Sequence, residues 1–406
     1  MNPNTIVVPC RSPAEVAETI ARARSHRIHL VPRSGGHCFA GRSTTDGIVL
    51  DVGPMRSVSC AGDVATVGAG TLLGDLYDAL DDRAIAAGCG PTVGIAGLTL
   101  GGGLGVLGRR HGLTCDSLLS AEVVLADGRV VRCDEERESE LFWALRGAGG
   151  GNFGVVTSLT FRTVAAPELT VFHLRWPVHR AAEVISAWIE AAPDAPDALA
   201  ASLLVTPTGA LVLGAAIATE TETAAMLAPL SGLAPTSAVF RHLPFREAKR
   251  YLAQRPTEPG ISLSKSEFFA EDLPQETITA LVANLEQDRR ESEARELDFT
   301  ALGGAYARVP RAATAFAHRD ARFLVKHGVT TRSGLDHART WLTRSWEIPR
   351  PWGTGGVYPN FPDPDLRDWA RAYHGDNYER LVAVKDAYDP SGFFRFHQSV
   401  PATRPV

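Results

Sequence analysis

Glycine gathers in four places within the first 155 residues, at 33 to 41, 94 to 105, 108 to 112 and 147 to 154, and thins out afterwards. A residue without a Cβ adopts left-handed backbone angles at no steric cost and lets another backbone come close. Successive bare amides also form concavities that suit phosphate oxygens. The N-terminal part of the chain must therefore contain loops that pass tightly over each other or over a ligand, and a dinucleotide suits such loops. One segment, Gly103-Leu104-Gly105-Val106-Leu107-Gly108, satisfies GxGxxG, with Asp127 about twenty residues on. That fingerprint requires a preceding strand and a following amphipathic helix, whereas 109 to 117 carries no apolar stripe and Asp127 sits in a turn, so a Rossmann unit is rejected.

The spacing of apolar residues predicts a helix from Pro13 to Arg27, with Ser12 as cap, then a short strand at 28 to 32 leading into the first glycine loop. Strands are expected at 47 to 52 and 64 to 68, followed by a helix over 72 to 80. Residues 120 to 133 alternate around Asp127-Gly128 and read as a hairpin. Further on, strands at 156 to 163 and 169 to 175, a helix at 179 to 192, a hairpin at 200 to 217 turning at Thr208-Gly209, and a helix at 274 to 290 complete the pattern. Hairpins mixed with helices define an α+β fold with helices on one face of antiparallel sheet.

With 406 residues, 45% hydrophobic and 21% charged, the chain is long enough for two or three domain-sized units. A formal charge of -5 without single-sign runs argues against nucleic acid or an anionic membrane as partner. The opening Met1-Asn2-Pro3-Asn4-Thr5 has no basic region ahead of an apolar core, and no window reaches the length of a membrane span, so a cytoplasmic location is expected. Six cysteines without a CxxC pair indicate neither a disulfide framework nor a zinc site, and no metal is expected.

Four blocks carry a resemblance: RSGGHCFAG at 33 to 41, PTVGIAGLTLGGGLGVLGRRHGLTCDSL at 91 to 118, LFWALRGAGGGNFGVVTS at 141 to 158, and YERLVAVKDAYDPSGFFRFHQSVP at 378 to 401. Together with GGAYARVP at 303 to 310 and Tyr358-Pro359-Asn360-Phe361, they make the chain resemble the berberine bridge enzyme-like FAD-linked oxidases of the vanillyl-alcohol oxidase superfamily, which have the PCMH-type FAD-binding domain. The resemblance implies an FAD-binding domain formed by residues 1 to 165 and 350 to 406. Between them, 166 to 349 would form a substrate domain whose large antiparallel sheet, backed by helices, covers the flavin ring. Members commonly carry additional residues before the first helix, so either a shortened N-terminus or the absence of a leading helix is expected.

It also implies roles for individual residues. His37 matches the position where an imidazole bonds the flavin 8-methyl carbon; a histidine at the tip of Arg33, Ser34, Gly35 and Gly36 is poorly placed for packing and has a nitrogen to offer as nucleophile. Read without the blocks, it would be a surface-loop histidine. Many members form a second bond from a cysteine in Cys-Pro-x-Val-Gly, but here the text is Cys89-Gly90-Pro91-Thr92-Val93-Gly94 and the cysteine position holds Gly90. A shift of one residue moves and re-aims the side chain, so a single covalent link is expected. The resemblance assigns Gly90, Val93, Gly94, Gly97, Gly101, Gly102, Gly103 and Gly105 to the stretch whose amides approach the pyrophosphate and the ring, and Asn152, Gly154 and Val155 to further flavin contacts. Cys38 and Cys115 read as small packing residues.

Asn360 matches a flavin contact and Tyr358 a residue near the substrate, where a phenol acts as base only if its pKa is depressed. The tyrosine that plant members carry directly after the asparagine is Phe361 here. His318, in the pair His318-Arg319, is an alternative base or else a loop histidine. The implied activity is oxidation of a small alcohol, sugar or amine, such as a secondary-metabolite intermediate, with dioxygen reduced to hydrogen peroxide. A redox-neutral isomerase or cyclase and a flavoprotein that sequesters a small molecule are the alternatives. A monomer or homodimer is expected.

Overall fold

A computed structural model of the chain describes residues 5–254 and 259–403. Residues 1–4, part of the N-terminal reading above, lie outside the described residues. Ser12 opens the first helix, Pro13–Ser25: its backbone is extended, its hydroxyl accepts the Glu15 N–H at 3.2 Å, and Pro13 starts the first turn. The helix buries Val16, Thr19, Ile20 and Ala23. It connects the strands Ile6–Pro9 and Leu30–Arg33, which flank Ile48–Asp51 in a parallel three-stranded sheet. Parallel pairing was not expected from the sequence; it follows from the crossover, because a helix between two strands of one sheet returns the chain in the same direction.

A second sheet of five antiparallel strands runs in the order Val58–Ala61, Val64–Gly68, Val155–Arg162, Leu118–Val124 and Val130–Cys133. The hairpin over 120 to 133 turns where expected, with Gly128 at φ 87°. The third sheet has seven antiparallel strands, ordered Ser237–Pro244, Glu168–Pro177, Gly209–Ala216, Leu199–Thr206, Glu293–Ala301, Phe323–Thr331 and Ile261–Phe269. Its hairpin pairs Thr206 with Gly209, so the chain reverses at Pro207-Thr208, one residue before the expected position. The helix expected at 274 to 290 is Gln275–Glu286; it stops early because Gln287 is extended and Asp288 has φ 55°.

The helices Ala181–Ala191, Gln275–Glu286 and Leu335–Glu347 lie on one face of the large sheet, where Trp188, Leu281, Leu285 and Trp341 pack with Phe172, Leu203, Phe299 and Phe323. The opposite face contributes Phe268 and Leu324 to a smaller cluster with Leu113, Cys115, Phe316 and Tyr358. That cluster joins the sheet to the second glycine-rich stretch. Leu381, Val384, Phe394 and Val400, from the last 26 residues, pack into the core of the N-terminal part. Among the described residues, no helix is long and apolar enough to cross a membrane, and no group of three or more His, Cys, Asp or Glu is placed to hold a metal.

Candidate functional site

The glycine loops meet around a cavity of about 380 Å³. Arg33, Ser34, Gly35, Gly36, His37, Val93, Gly94, Gly97, Gly154, Val155, Tyr358 and Asn360 all line it. Two loops cross back to back at its wall: a Cβ on Gly35 would come within 2.3 Å of the Gly94 nitrogen, and one on Gly94 within 2.1 Å of Ser34 Oγ. Only glycine allows that approach. Ser34 fixes the crossing by donating its hydroxyl to Ala69 O at 2.7 Å, and Arg33 pairs with Asp51 at 3.0 Å.

His37 is exposed at the loop tip, with Nε2 2.9 Å from Thr92 Oγ1. That contact holds the ring and leaves Nδ1 without a hydrogen bond among the described residues. Cys89 and Gly90 do not line the cavity. Cys89 neighbours Lys249, a buried ammonium that donates to Ala87 O at 2.8 Å and Gly88 O at 2.7 Å and lies 4.4 Å from the Tyr77 ring. Burial pushes the Lys249 pKa down, and the neighbouring Cys89 opposes that shift. Cys115 is buried, whereas Cys38, expected as a packing residue, is half-buried on the cavity wall.

The expected amide cradle is narrower than the family pattern implied. Gly101, Gly102, Gly103, Gly105 and Asn152 do not line the cavity, because protein groups fill the space or take the N–H. Gly101 makes room for Asn360, whose Oδ1 would lie 2.2 Å from an added Cβ. The Gly102 N–H donates to Thr99 O at 3.0 Å, the Gly103 N–H to the Tyr358 hydroxyl at 3.1 Å, and the Gly105 N–H to the Tyr306 hydroxyl at 3.3 Å. Asn152 is a strut: its amide donates to Ala148 O and Gly149 O, and its Oδ1 accepts the Val400 N–H at 3.0 Å. It thereby holds Gly149, Gly150 and Gly151, which do line the cavity; they lie in the glycine stretch at 147 to 154 but were given no individual role in the sequence reading. Arg42 and Phe396 were also missed; the Arg42 guanidinium stacks 4.7 Å from the Phe396 ring and donates to Gln398, a contact across more than 350 residues with no local signal.

The two candidate bases differ in position. The Tyr358 oxygen accepts three N–H groups, from Gly103 at 3.1 Å, Leu104 at 3.2 Å and Asn360 at 3.1 Å. Burial nevertheless pushes the phenol up to about 12, outweighing those donors. His318, expected as an alternative base, is off the cavity: it stacks on Phe268 at 4.5 Å, and its Nε2 lies 3.0 Å from Tyr373 O. Burial holds its imidazole down to about 4. The adjacent Arg319 is a tie, donating twice to Asp116 at 2.8 and 2.7 Å. Phe361 lines the cavity beside Tyr358 and Phe39, with ring centroids 5.0 and 5.6 Å away, and has no proton to exchange.

The lining combines apolar residues on strands (Leu30, Val31, Val156) and just after one (Val52), bare glycine backbone and aromatic rings, which fits the adenine, pyrophosphate and tricyclic ring of FAD. Comparison with known proteins agrees. A family model described as an FAD binding domain matches residues 4–134, and one described as berberine and berberine like matches 357–401. The protein is an FAD-dependent oxidoreductase. It belongs to the berberine bridge enzyme-like family of FAD-linked oxidoreductases. The uncharacterized FAD-linked oxidoreductase YgaK of Bacillus subtilis strain 168 is 33% identical over 422 residues, covering 98% of this chain and 91% of that protein. The chitooligosaccharide oxidase of Gibberella zeae is 31% identical over 433 residues, covering 98% and 87%. The solved xylooligosaccharide oxidase of Myceliophthora thermophila, in complex with xylobiose, superposes with a TM-score of 0.89 at 25% identity, covering 98% of this chain and 92% of that one.

Proposed function

We propose that this chain is an oxidase that holds FAD through one covalent bond, from His37, and oxidises a carbon bearing a hydroxyl or amino group in a small molecule, with dioxygen reduced to hydrogen peroxide. The observation that carries the reading is the pairing of an exposed His37 on the cavity, its Nε2 engaged by Thr92 and its Nδ1 free among the described residues, with a Cys89 off the cavity beside Lys249. When bound, FAD supplies the hydride acceptor and the site of dioxygen reduction. The crossing of Ser34 to Gly36 over Gly94, together with Gly97, Gly154, Val155 and Asn360, would hold the cofactor. Tyr358 acts as a positioning group: its oxygen is held by three N–H donors and in turn orients the Asn360 amide.

Two relatives whose names specify oligosaccharide oxidation make sugars the first substrate class to test. The experiment is anaerobic mixing of the purified yellow protein with chitobiose, xylobiose and simple secondary alcohols, followed by admission of air. Bleaching of the flavin by one of them, then peroxide release in air, is the expected result. Product formed with no bleaching would overturn the oxidase reading in favour of a redox-neutral isomerase or cyclase.

A further inference from the structure

The permanent charges on the cavity wall are all positive: Arg33, Arg42 and Arg395 line it, and among the described residues no Asp or Glu does. Arg33 is neutralised by Asp51 at 3.0 Å. Arg395 is exposed, and its guanidinium has no partner among the described residues. Arg42 differs from both. It is half-buried, its guanidinium lies 4.7 Å from the Phe396 ring and 5.5 Å from the Tyr373 ring, and its Nη2 donates to Gln398 Oε1 at 2.7 Å. Gln398 is fixed in turn, since its amide donates to Asp363 O at 2.8 Å and Leu366 O at 3.1 Å. Two rings and an amide oxygen hold the guanidinium in place without a carboxylate, so its charge stays available to an anion in the cavity.

The surroundings of Arg42 indicate which anion. A Cβ on Gly151 would lie 3.5 Å from Phe396 and 3.9 Å from Pro32, so the Arg42–Phe396 stack borders the strand end that leads into the crossing of Ser34 and Gly35 over Gly94. The N–H groups of Gly35 and Gly36 donate to no protein acceptor among the described residues, and Gly36 is left-handed at φ 73°. Successive bare amides in such a turn form an anion-binding concavity. Phe39, Phe361 and Tyr358 make up a separate aromatic part of the wall, packed on one another.

We propose that Arg42, together with the amides of Gly35 and Gly36, binds the diphosphate of FAD and makes the protein select the dinucleotide over riboflavin. The inference rests on FAD as the cofactor, and on neither the bond to His37 nor the substrate. The planar fork of Arg42 suits two phosphate oxygens at once, and its seat on Phe396 reduces the side-chain freedom lost on binding.

The test titrates apoprotein of His37→Ala, in which no bond to residue 37 can form, with FAD and with riboflavin at low and high salt. Adding Arg42→Met should weaken FAD binding at least about tenfold, leave riboflavin within about twofold, and flatten the loss of FAD affinity with salt. Arg42→Lys, which keeps the charge and loses the fork, should recover part of the FAD affinity. FAD affinity within about twofold of the His37→Ala protein overturns the assignment, and so does an equal loss for FAD and riboflavin, which would put the charge at the flavin ring. Flavin-loaded protein with His37 intact gives a second reading. A phosphodiesterase that splits FAD between its phosphorus atoms should release AMP at least about fivefold faster from Arg42→Met than from the parent, and equal rates would likewise overturn the assignment.

Discussion

Removing either partner of the Lys385–Asp389 pair should loosen the flavin site from behind. The two groups are 1% and 0% exposed and 2.6 Å apart, near the C-terminus of the last helix, Tyr378–Tyr388. Lys385 also donates to Asn152 O at 2.6 Å and Phe394 O at 2.7 Å, while the Asp389 carboxylate accepts the N–H groups of Phe393 and Phe394, each at 2.9 Å. Lys385→Met leaves a buried carboxylate without a counter-charge, and Asp389→Asn leaves a buried ammonium with only carbonyl partners. Losing one partner of a buried pair costs about 3–5 kcal/mol. The double variant Lys385→Met/Asp389→Leu removes the stranded charge but still orphans two amides, so it should recover about 1–3 kcal/mol relative to the sum of the single changes. Because Asn152 holds Gly149 to Gly151 on the cavity wall, the flavin ring should also become exposed to solvent at a lower urea concentration than global unfolding. Urea titration read by circular dichroism, with flavin fluorescence in parallel, measures both. Single variants within about 1 kcal/mol of the parent, or strictly additive ones, would refute the reasoning.

Three further outcomes are expected. Thr92→Val removes the partner of His37 Nε2 and should slow covalent flavin attachment severalfold at unchanged stability, measured as the protein-bound fluorescence that survives denaturing electrophoresis over time. Gly97→Ala meets no atom within 4 Å, so the variant should fold normally; because Gly97 faces the cavity, FAD affinity in a His37→Ala background, where no covalent link can form, should nonetheless fall at least about tenfold, measured by equilibrium titration of the apoprotein with FAD. Glu267 is 1% exposed, and burial raises its carboxyl to about 7 against the Gly355 N–H that lowers it. A raised acid leaves the folded state fully favoured below the unfolded pKa and weakens it as pH rises through about 7. Relative to the parent, Glu267→Gln should therefore gain up to about 3 kcal/mol between pH 4.5 and 8, and parallel pH–stability curves for the two proteins would exclude this.

The sequence read well wherever one local rule decided the backbone. Ser12-Pro13 specified a helix start and Asp127-Gly128 a hairpin turn, and both formed. The glycine crossing at Gly35 and Gly94 was legible as a close approach, because nothing larger fits. What could not be read was which amides remain for a ligand: the partners of Gly103 and Gly105 are the hydroxyls of Tyr358 and Tyr306, 255 and 201 residues away. The strands Ile261–Phe269 and Phe323–Thr331 were missed because Lys265, Glu267 and His327 break the apolar pattern, and only the fold shows these polar groups buried, with Lys265 paired to Asp363 at 2.6 Å.

How the protein holds its cofactor is tested most directly by peptide mapping of the acid-precipitated protein by mass spectrometry. A yellow pellet with one flavin on the peptide containing His37, and none on the peptide containing Cys89, is the predicted result. A colourless pellet, or flavin attached to Cys89, would contradict it.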